Sequence, residues 1–272
     1  MQTDYSDQIS YLIVDTSQYA MAQHALNESQ RLFPLANRIV FSDRADGWDA
    51  TSFIQIPKIT SIEEYNELLL AEAWKHVETD FVQIIQWDGH VINPNAFRPQ
   101  FLEVDYIGAV WPHHRTRRIG NGGFSLRSRR LMKAVHSVLV DVPNWQTEPE
   151  DDLICRKLGE RLEKEHSIEF AKGMLAQHYS IEWDFQNEEV FQNGYMPFGF
   201  HGMAMLIATH KNDIPSLLDG LQPVTGWQLT TMAQFISALE QRDINAFYAF
   251  LQRHNLFDEF TRNLNITVRA VS

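Results

Sequence analysis

A chain of 272 residues that is 44% hydrophobic and 21% charged has the composition of a soluble globular protein, not of a disordered one. Its formal net charge of -12 argues against a nucleic-acid surface and against a polybasic membrane patch, since both need a basic field. One cysteine, Cys155, excludes an internal disulfide framework; with no apolar run near the ~20 residues that span a bilayer and no signal-peptide pattern, a cytoplasmic location is expected.

Residues 10–14 (SYLIV) form an apolar, β-prone run that stops at Asp15-Thr16-Ser17. Residues 18–33 then carry Tyr19, Ala20, Ala22, Leu26 and Phe33 at roughly helical spacing, and residues 38–42 (RIVFS) predict a second strand that stops at Asp43. Strand, helix and strand in this order make a βαβ unit and predict parallel pairing. A carboxylate at the end of such a strand can hold a ribose or base edge, because open α/β sheets bind ligands beyond their carboxyl ends. The competing reading, a turn residue leaving a strand, is the commoner one on turn chemistry. Residues 53–56 read as a further short strand.

Ser61 reads as an N-cap, with Glu63 and Glu64 in the first turn. Tyr65, Leu68, Leu69, Ala73, Trp74 and Val77 share one face, which predicts a helix packed on the sheet. FVQIIQ (81–86) has strand length and β-formers, and it ends in Trp87-Asp88-Gly89-His90. Residues 93–103 predict a loop with two prolines, and residues 105–109 (DYIGA) a short strand. Arg115, Arg117 and Arg118 follow in a basic loop that ends in Gly120-Asn121-Gly122-Gly123. Its glycines allow positive φ or close approach to a bound group. A turn of this kind opening the helix at residues 129–138 would offer backbone N–H groups to an anion.

Residues 147–158 (TEPEDDLICRKL) start a helix with proline and acidic residues, which is ordinary helix-starting chemistry. On a functional reading, one of Glu150, Asp151 and Asp152 is a general base whose pKa is raised by its neighbours. Residues 168–181 predict a strand and a loop. Residues 195–202 (YMPFGFHG) make a rigid aromatic turn around His201, which is either structural or a ligand. Residues 203–209, 214–220, 230–239 and 243–254 predict helices without clustered chemistry. The expected organisation is a domain at 1–205 and a C-terminal helical appendage at 206–272.

The ordered set QWDGHVI, DYIGAVW, GNGGFSLRSRRLM, PEDDLIC and PFGFHG resembles a widespread domain family of unknown function related to GT-A glycosyltransferases. The likeness runs from about residue 10 to residue 202, and GNGGFSLRS is its most specific part. It implies a GT-A-like α/β fold, with a Rossmann-like nucleotide-binding half on a mixed, mostly parallel sheet. The implied activity is transfer of a sugar from a nucleotide-sugar donor to a hydroxyl of a glycan or other acceptor, with inversion, as in polysaccharide or glycoconjugate synthesis. In that class an Asp-x-Asp motif commonly holds manganese or magnesium; here the place reads Asp88-Gly89-His90, so the second carboxylate is missing. The resemblance points to Asp88 and His201 as metal ligands. Strand polarity puts the nucleotide near Asp15, Thr16, Asp43 and Asp88, and Trp87, Asn121, Gly122, Gly123 and Arg127 complete the expected donor site. GNGG followed by EDD is similar to the Gly-Gly-Glu-Asp segment of inverting galactosyltransferases, although residues 124–149 separate the two parts here. By that comparison Asp151 is the base and Glu150 its neighbour and alternative.

A donor diphosphate on so acidic a chain needs local positive charge from a metal at Asp88, from Arg115, Arg117, Arg118 and Arg127, or from the glycine turn. Two other functions stay open. The missing second aspartate favours a non-catalytic nucleotide-sugar or carbohydrate-binding protein. A sugar nucleotidyltransferase would place a glycine-rich basic loop after the first strand, where this chain has DTSQYAMAQ.

Overall fold

All six residues of the first strand, Ile9–Val14 (β1), are buried, as a central strand covered on both faces requires. β1 pairs in parallel with Asn37–Ser42 (β2) on one side and Phe81–Ile85 (β4) on the other, and Ser52–Gln55 (β3) adds to β2 in parallel. Ser125–Ser128 (β6) runs antiparallel to β4, and Tyr106–Ile107 (β5) runs antiparallel to β6. The order is β3-β2-β1-β4-β6-β5, a mixed, mostly parallel sheet in an α/β fold, as expected. A computed structural model describes residues 4–111, 114–182, 195–210, 214–222, 248–249, 251–253, 255–256 and 258.

The two-residue period of the strands builds two cores. Tyr11, Ile13, Val40 and Ile85 pack with Ala22 and Leu26 of Tyr19–Leu32 (α1). Leu12, Val14, Ile39, Phe41, Val82 and Ile84 pack with Leu69, Ala73 and Val77 on the other face. The helical stretch that supplies those last three is capped by Ser61, whose hydroxyl accepts the Glu64 N–H at 3.3 Å. It is not one regular helix. Ile62–Asn66 (α2) passes into a π turn at Glu67–Glu72 and a 3-10 turn at Ala73–His76. Buried Asn66 donates to the carbonyls of Gln146 and Glu148, at 2.5 and 2.6 Å, and so ties this stretch to the residues just ahead of Glu150. There a second short helix, Glu150–Asp152 (α4), also opens into a π turn, Leu153–Lys157.

Three expectations need correction. The glycine turn does not open a helix. β6 intervenes because residues 125–128 complete the ladder beside β4, and Ser128 then caps Arg129–Leu139 (α3) by accepting the Leu131 N–H at 2.9 Å. After Gly159–His166 (α5), residues 168–181 hold a helix, Gly173–Tyr179 (α6), before the short strand Ser180–Ile181 (β7), which pairs in parallel with Gly199–Phe200 (β8). The 93–103 loop contains two proline-started 3-10 turns, Pro94–Ala96 and Pro99–Glu103.

The chain divides into two compact units, Met1–His201 and Gly202–Ser272. In the second, Met203–Thr209 (α7) and Ile214–Gly220 (α8) are helical as expected, and Arg253 pairs with Asp219 and donates to the Leu218 carbonyl. The helix expected at 230–239 and most of that at 243–254 lie outside the described residues. Among the described residues no helix is long and apolar enough to cross a membrane.

Buried Tyr179 holds α6 to the sheet by donating its hydroxyl to Gln83 Oε1 at 2.7 Å. Tyr179→Phe keeps the ring and strands that acceptor, so chemical denaturation should show a loss of about 1–3 kcal/mol.

Candidate functional site

Because β1, β2 and β4 run parallel, Asp15, Asp43 and Asp88 leave the sheet at the same end. Asp15 is buried, and its Oδ1 accepts the N–H groups of Ser17 and Gln18 at 2.8 and 2.7 Å, a turn that leads into α1. Its pKa is pushed up to about 6, chiefly by burial against those two bonds, with Asp43 and Asp88 adding to the rise. Thr16 is buried and accepts the Ile59 N–H, and Asp43 accepts the Tyr19 hydroxyl at 2.8 Å. Trp87 is half-buried against the core.

The Gly89 N–H donates to the Gln86 carbonyl and closes the turn that carries Asp88. Asp88 is 3% exposed, and its Oδ1 lies 3.2 Å from His201 Nε2. On the other side of the ring, Nδ1 lies 3.0 Å from the Asn121 amide nitrogen and 3.5 Å from Glu182 Oε1. Burial disfavours charge on His201, but the carboxylates of Asp88 and Glu182 outweigh it and push the pKa up to about 10. Glu182 is a residue that the sequence reading misses. It directly follows β7 as Asp15 follows β1, and the same strand-end rule would have found it had residues 180–181 been read as a strand end.

The glycine turn works differently from expectation. Asn121, not a glycine, takes the left-handed backbone, with φ 68. Its Oδ1 accepts the Phe124 N–H and its carbonyl accepts the Tyr106 hydroxyl, which aims the amide NH2 at His201. Gly122 and Gly123 supply space. A Cβ at Gly122 would lie 1.6 Å from Glu150 Oε1, and one at Gly123 would lie 2.0 Å from His201 Nε2. The Gly122 N–H is already used, donating to Asp151 Oδ2 at 3.1 Å.

Below the turn, Arg127 and Glu150 pair at 2.8 Å with side chains only 2% and 6% exposed. Arg127 also donates to Ser125 Oγ and the Gly122 carbonyl, and sits over the Tyr106 ring. Two residues that the sequence reading assigns to donor and base thus pair with each other, leaving Glu150 Oε2 buried without a hydrogen bond. Asp151 is half-buried, with its pKa pushed up to about 6 by burial first and Glu150 second; the N–H groups of Gly122 and Asp152 act the other way, and Glu182 adds to the rise. Burial therefore outweighs the helix-start effect that would keep this carboxylate low.

Asp88, Asn121, Gly122, Gly123, Arg127, Glu150, Asp151 and His201 thus gather around one turn, and Asp15 lies close enough to feel the charges of both Asp43 and Asp88. Arg117 and Arg118 do not join them and line another cleft. A larger cleft, of about 740 Å³, opens at the other end of β4, beside Asp80 and Arg129.

A model of the family described as "Protein of unknown function (DUF5672)" matches residues 49–201, more than half of the chain. The chain belongs to that family. The match starts ahead of β3 and ends at His201, so it is shorter at its N-terminal end than the likeness from residue 10 expected from the motifs. No curated protein matches this DUF5672 chain. Among solved structures, a glycosyltransferase involved in the glycosylation of the major capsid of PBCV-1 is similar at TM-score 0.44 and 12% identity, over 71% of this chain and 92% of its own. The bifunctional IspDF from Campylobacter jejuni is similar at TM-score 0.34 and 13% identity, over 56% of this chain and 47% of its own. At those scores neither likeness bears on function.

A divalent cation fits this DUF5672 site at one point. Asp88 Oδ1 is buried and accepts no hydrogen bond, and it lies 3.2 Å from His201 Nε2, a spacing at which two ligand atoms can share one ion if the ion takes the place of the Nε2 proton. Glu182 faces the opposite ring nitrogen and cannot join the same ion as a third ligand in this arrangement.

Two stability predictions follow from the geometry. Gly122→Ala forces Glu150 off Arg127 and should cost about 3–5 kcal/mol in denaturant unfolding, the range for breaking a buried pair. Gly173→Ala, whose Cβ meets nothing within 4 Å, should be neutral or slightly stabilising. Separately, a carboxyl whose folded pKa is raised from 3.8 to about 6 binds more protons folded than unfolded, so its contribution to stability falls as pH climbs through that window. Asp151→Asn should therefore unfold at a higher temperature than wild type at pH 8, with a ceiling of about 3 kcal/mol, and the difference should close near pH 4. A variant less stable at both pH values would show that the Gly122 N–H bond to Asp151 dominates.

Proposed function

We propose that this protein is an inverting glycosyltransferase that moves a sugar from a nucleotide-sugar donor to an acceptor hydroxyl, with Asp151 as the general base. The observation that carries the reading is the division of labour between two adjacent carboxylates. Glu150 is neutralised by Arg127 and kept from solvent, while Asp151 has no cationic partner among the described residues and a pKa near 6. A carboxylate tuned to that value is ionised at neutral pH and still basic enough to take a hydroxyl proton in the transition state.

In the reaction, the Asp151 carboxylate accepts the proton of the acceptor hydroxyl as its oxygen bonds to the anomeric carbon. The bond from that carbon to the donor phosphate oxygen breaks, and the electron pair leaves with the nucleoside diphosphate. Asp15, Thr16, Asp43 and Trp87 take the nucleoside end of the donor, where the parallel strands finish. Asp88 and His201 would hold manganese or magnesium, which when bound would supply positive charge to the diphosphate. Gly122 and Gly123 let the turn lie close against Glu150 and His201, so that both halves of the site share one wall.

The lone Asp88 favours a second reading, a non-catalytic nucleotide-sugar-binding protein. One experiment separates the two: calorimetric titration with a panel of nucleotide sugars, with and without manganese, joined to turnover assays on Asp151→Asn. Transfer predicts manganese-dependent donor binding retained in the variant, with turnover down by a factor on the order of 100 to 10,000. It also predicts that wild-type kcat/KM falls as pH drops through about 6. Donor binding without turnover in the wild type would favour the second reading, and normal turnover in Asp151→Asn with loss in Glu150→Gln would assign the base to Glu150.

A further inference from the structure

A cleft of about 600 Å³, lined in part by Cys155 four residues after the proposed base, is not used by the donor in the reading above. Val110, Ile119, Cys155 and Phe170 form part of its wall, with Arg117, Arg118, Lys172 and Glu163 at its edges. Its volume falls in the range of small-ligand sites.

Three features make it a built site. The first is charge. Three cations face one carboxylate here, on a chain whose net charge is -12. A local positive field on an acidic protein draws anions to that place and not to the rest of the surface. The second is Arg117. Its backbone is left-handed, with φ 49, a conformation that costs a non-glycine residue on the order of 1 kcal/mol. Its guanidinium is forked onto both oxygens of Glu163, at 3.2 and 2.6 Å. Gly159 leaves it room, since a Cβ there would sit 2.4 Å from Nη1. Backbone strain held by this much surrounding structure concentrates at ligand sites. The third is position. Cys155 lies four residues after Asp151, about one helical turn, and burial first, with the Asp151 carboxylate second, keeps its thiol protonated. Ile119 bridges Val110 just ahead of the turn that holds Asp151. Phe170 and Met174, the latter 80% exposed, add apolar surface suited to the C–H face of a sugar ring.

We propose that this cleft receives the acceptor and that the acceptor is an anionic saccharide, one bearing carboxylate or phosphate groups. Arg118 can fork onto two oxygens of either group, Lys172 adds a point charge, and Arg117 joins them when the ligand anion takes the place of Glu163 on its guanidinium. Asp151 does not itself line the cleft, so the acceptor hydroxyl has to extend beyond the buried Cys155 and Ile119 to meet it. The acceptor role rests on the glycosyltransferase reading; the anion site does not.

The test is a set of equilibrium titrations at low ionic strength with four probes: a galacturonate hexamer, a hexose 6-phosphate, neutral maltohexaose and uridine diphosphate. They are run on wild type and on Arg118→Glu/Lys172→Glu, two exposed positions, with thermal unfolding as the check that the variant is folded. At least one anionic sugar should bind wild type about tenfold or more tightly than maltohexaose, and the double variant should lose that margin. Which anionic sugar binds better tells carboxylate from phosphate. Added salt should weaken the binding, and uridine diphosphate should bind both proteins equally. The proposal is overturned if maltohexaose binds as well as both anionic sugars, or if the folded double variant binds them unchanged. It is overturned too if uridine diphosphate displaces them and loses affinity in the variant, which would make the cleft a donor site. Failure of nucleotide sugars to bind wild type at all would sink the transferase reading instead, and the sugar titrations would report the anion site independently.

Discussion

The site depends on one buried ion pair. Arg127 comes from a strand and Glu150 from the start of a helix, and each removes the other's cost of leaving water. Unpaired, either charge would cost several kcal/mol at that depth. The pair also dictates its surroundings. It leaves no volume for a side chain at Gly122, it draws the Gly122 carbonyl onto Arg127, and it brings Asp151 within reach of the Gly122 N–H. A buried pair of this kind adds little net stability compared with apolar packing. Its consequence is positional, since it fixes a strand, a turn and a helix start to one another.

The same pair separates two neighbouring carboxylates chemically. Glu150 has a cation, and among the described residues Asp151 has backbone N–H groups and partial burial. Its raised pKa is a stability cost at neutral pH, the trade expected if the group is the base of the proposed reaction. The π turns in both helical stretches that Asn66 links, at Glu67–Glu72 and Leu153–Lys157, fit this picture, because irregular helix geometry gathers near functional sites. On the opposite wall, Asp88, His201 and Glu182 form a second charged group in which an imidazole lies between two carboxylates.

Much of the sheet was legible from the residues. β1, α1, β2 and β4 show their period or their apolar runs over enough residues to be read alone, and strand polarity then places Asp15, Asp43 and Asp88 at one end. β6 escaped because its burial comes from pairing with β4 and not from its own pattern: SLRS has one apolar residue in four. α6 escaped because GMLAQHY has neither an N-cap signal nor a long amphipathic run. The site was legible as a set of residues and much less as a set of roles. Glycines in a turn suggest backbone freedom, yet at 122 and 123 what matters is the volume of side chains arriving from residues 150 and 201, far along the chain. That Arg127 faces Glu150 is a tertiary fact that no local spacing encodes.

The central claim is that one turn, Gly120 to Gly123, carries a cation-bound donor on its Asp88–His201 side and the base on its Asp151 side. A crystal structure with a nucleotide sugar and manganese, using anomalous scattering to find the ion, tests it most directly. The account predicts a manganese peak shared by Asp88 Oδ1 and His201 Nε2, the donor phosphates on that ion, and the anomeric carbon facing Asp151. A donor bound at the Arg117–Lys172 cleft or beside Arg129, with no manganese at Asp88, would contradict it.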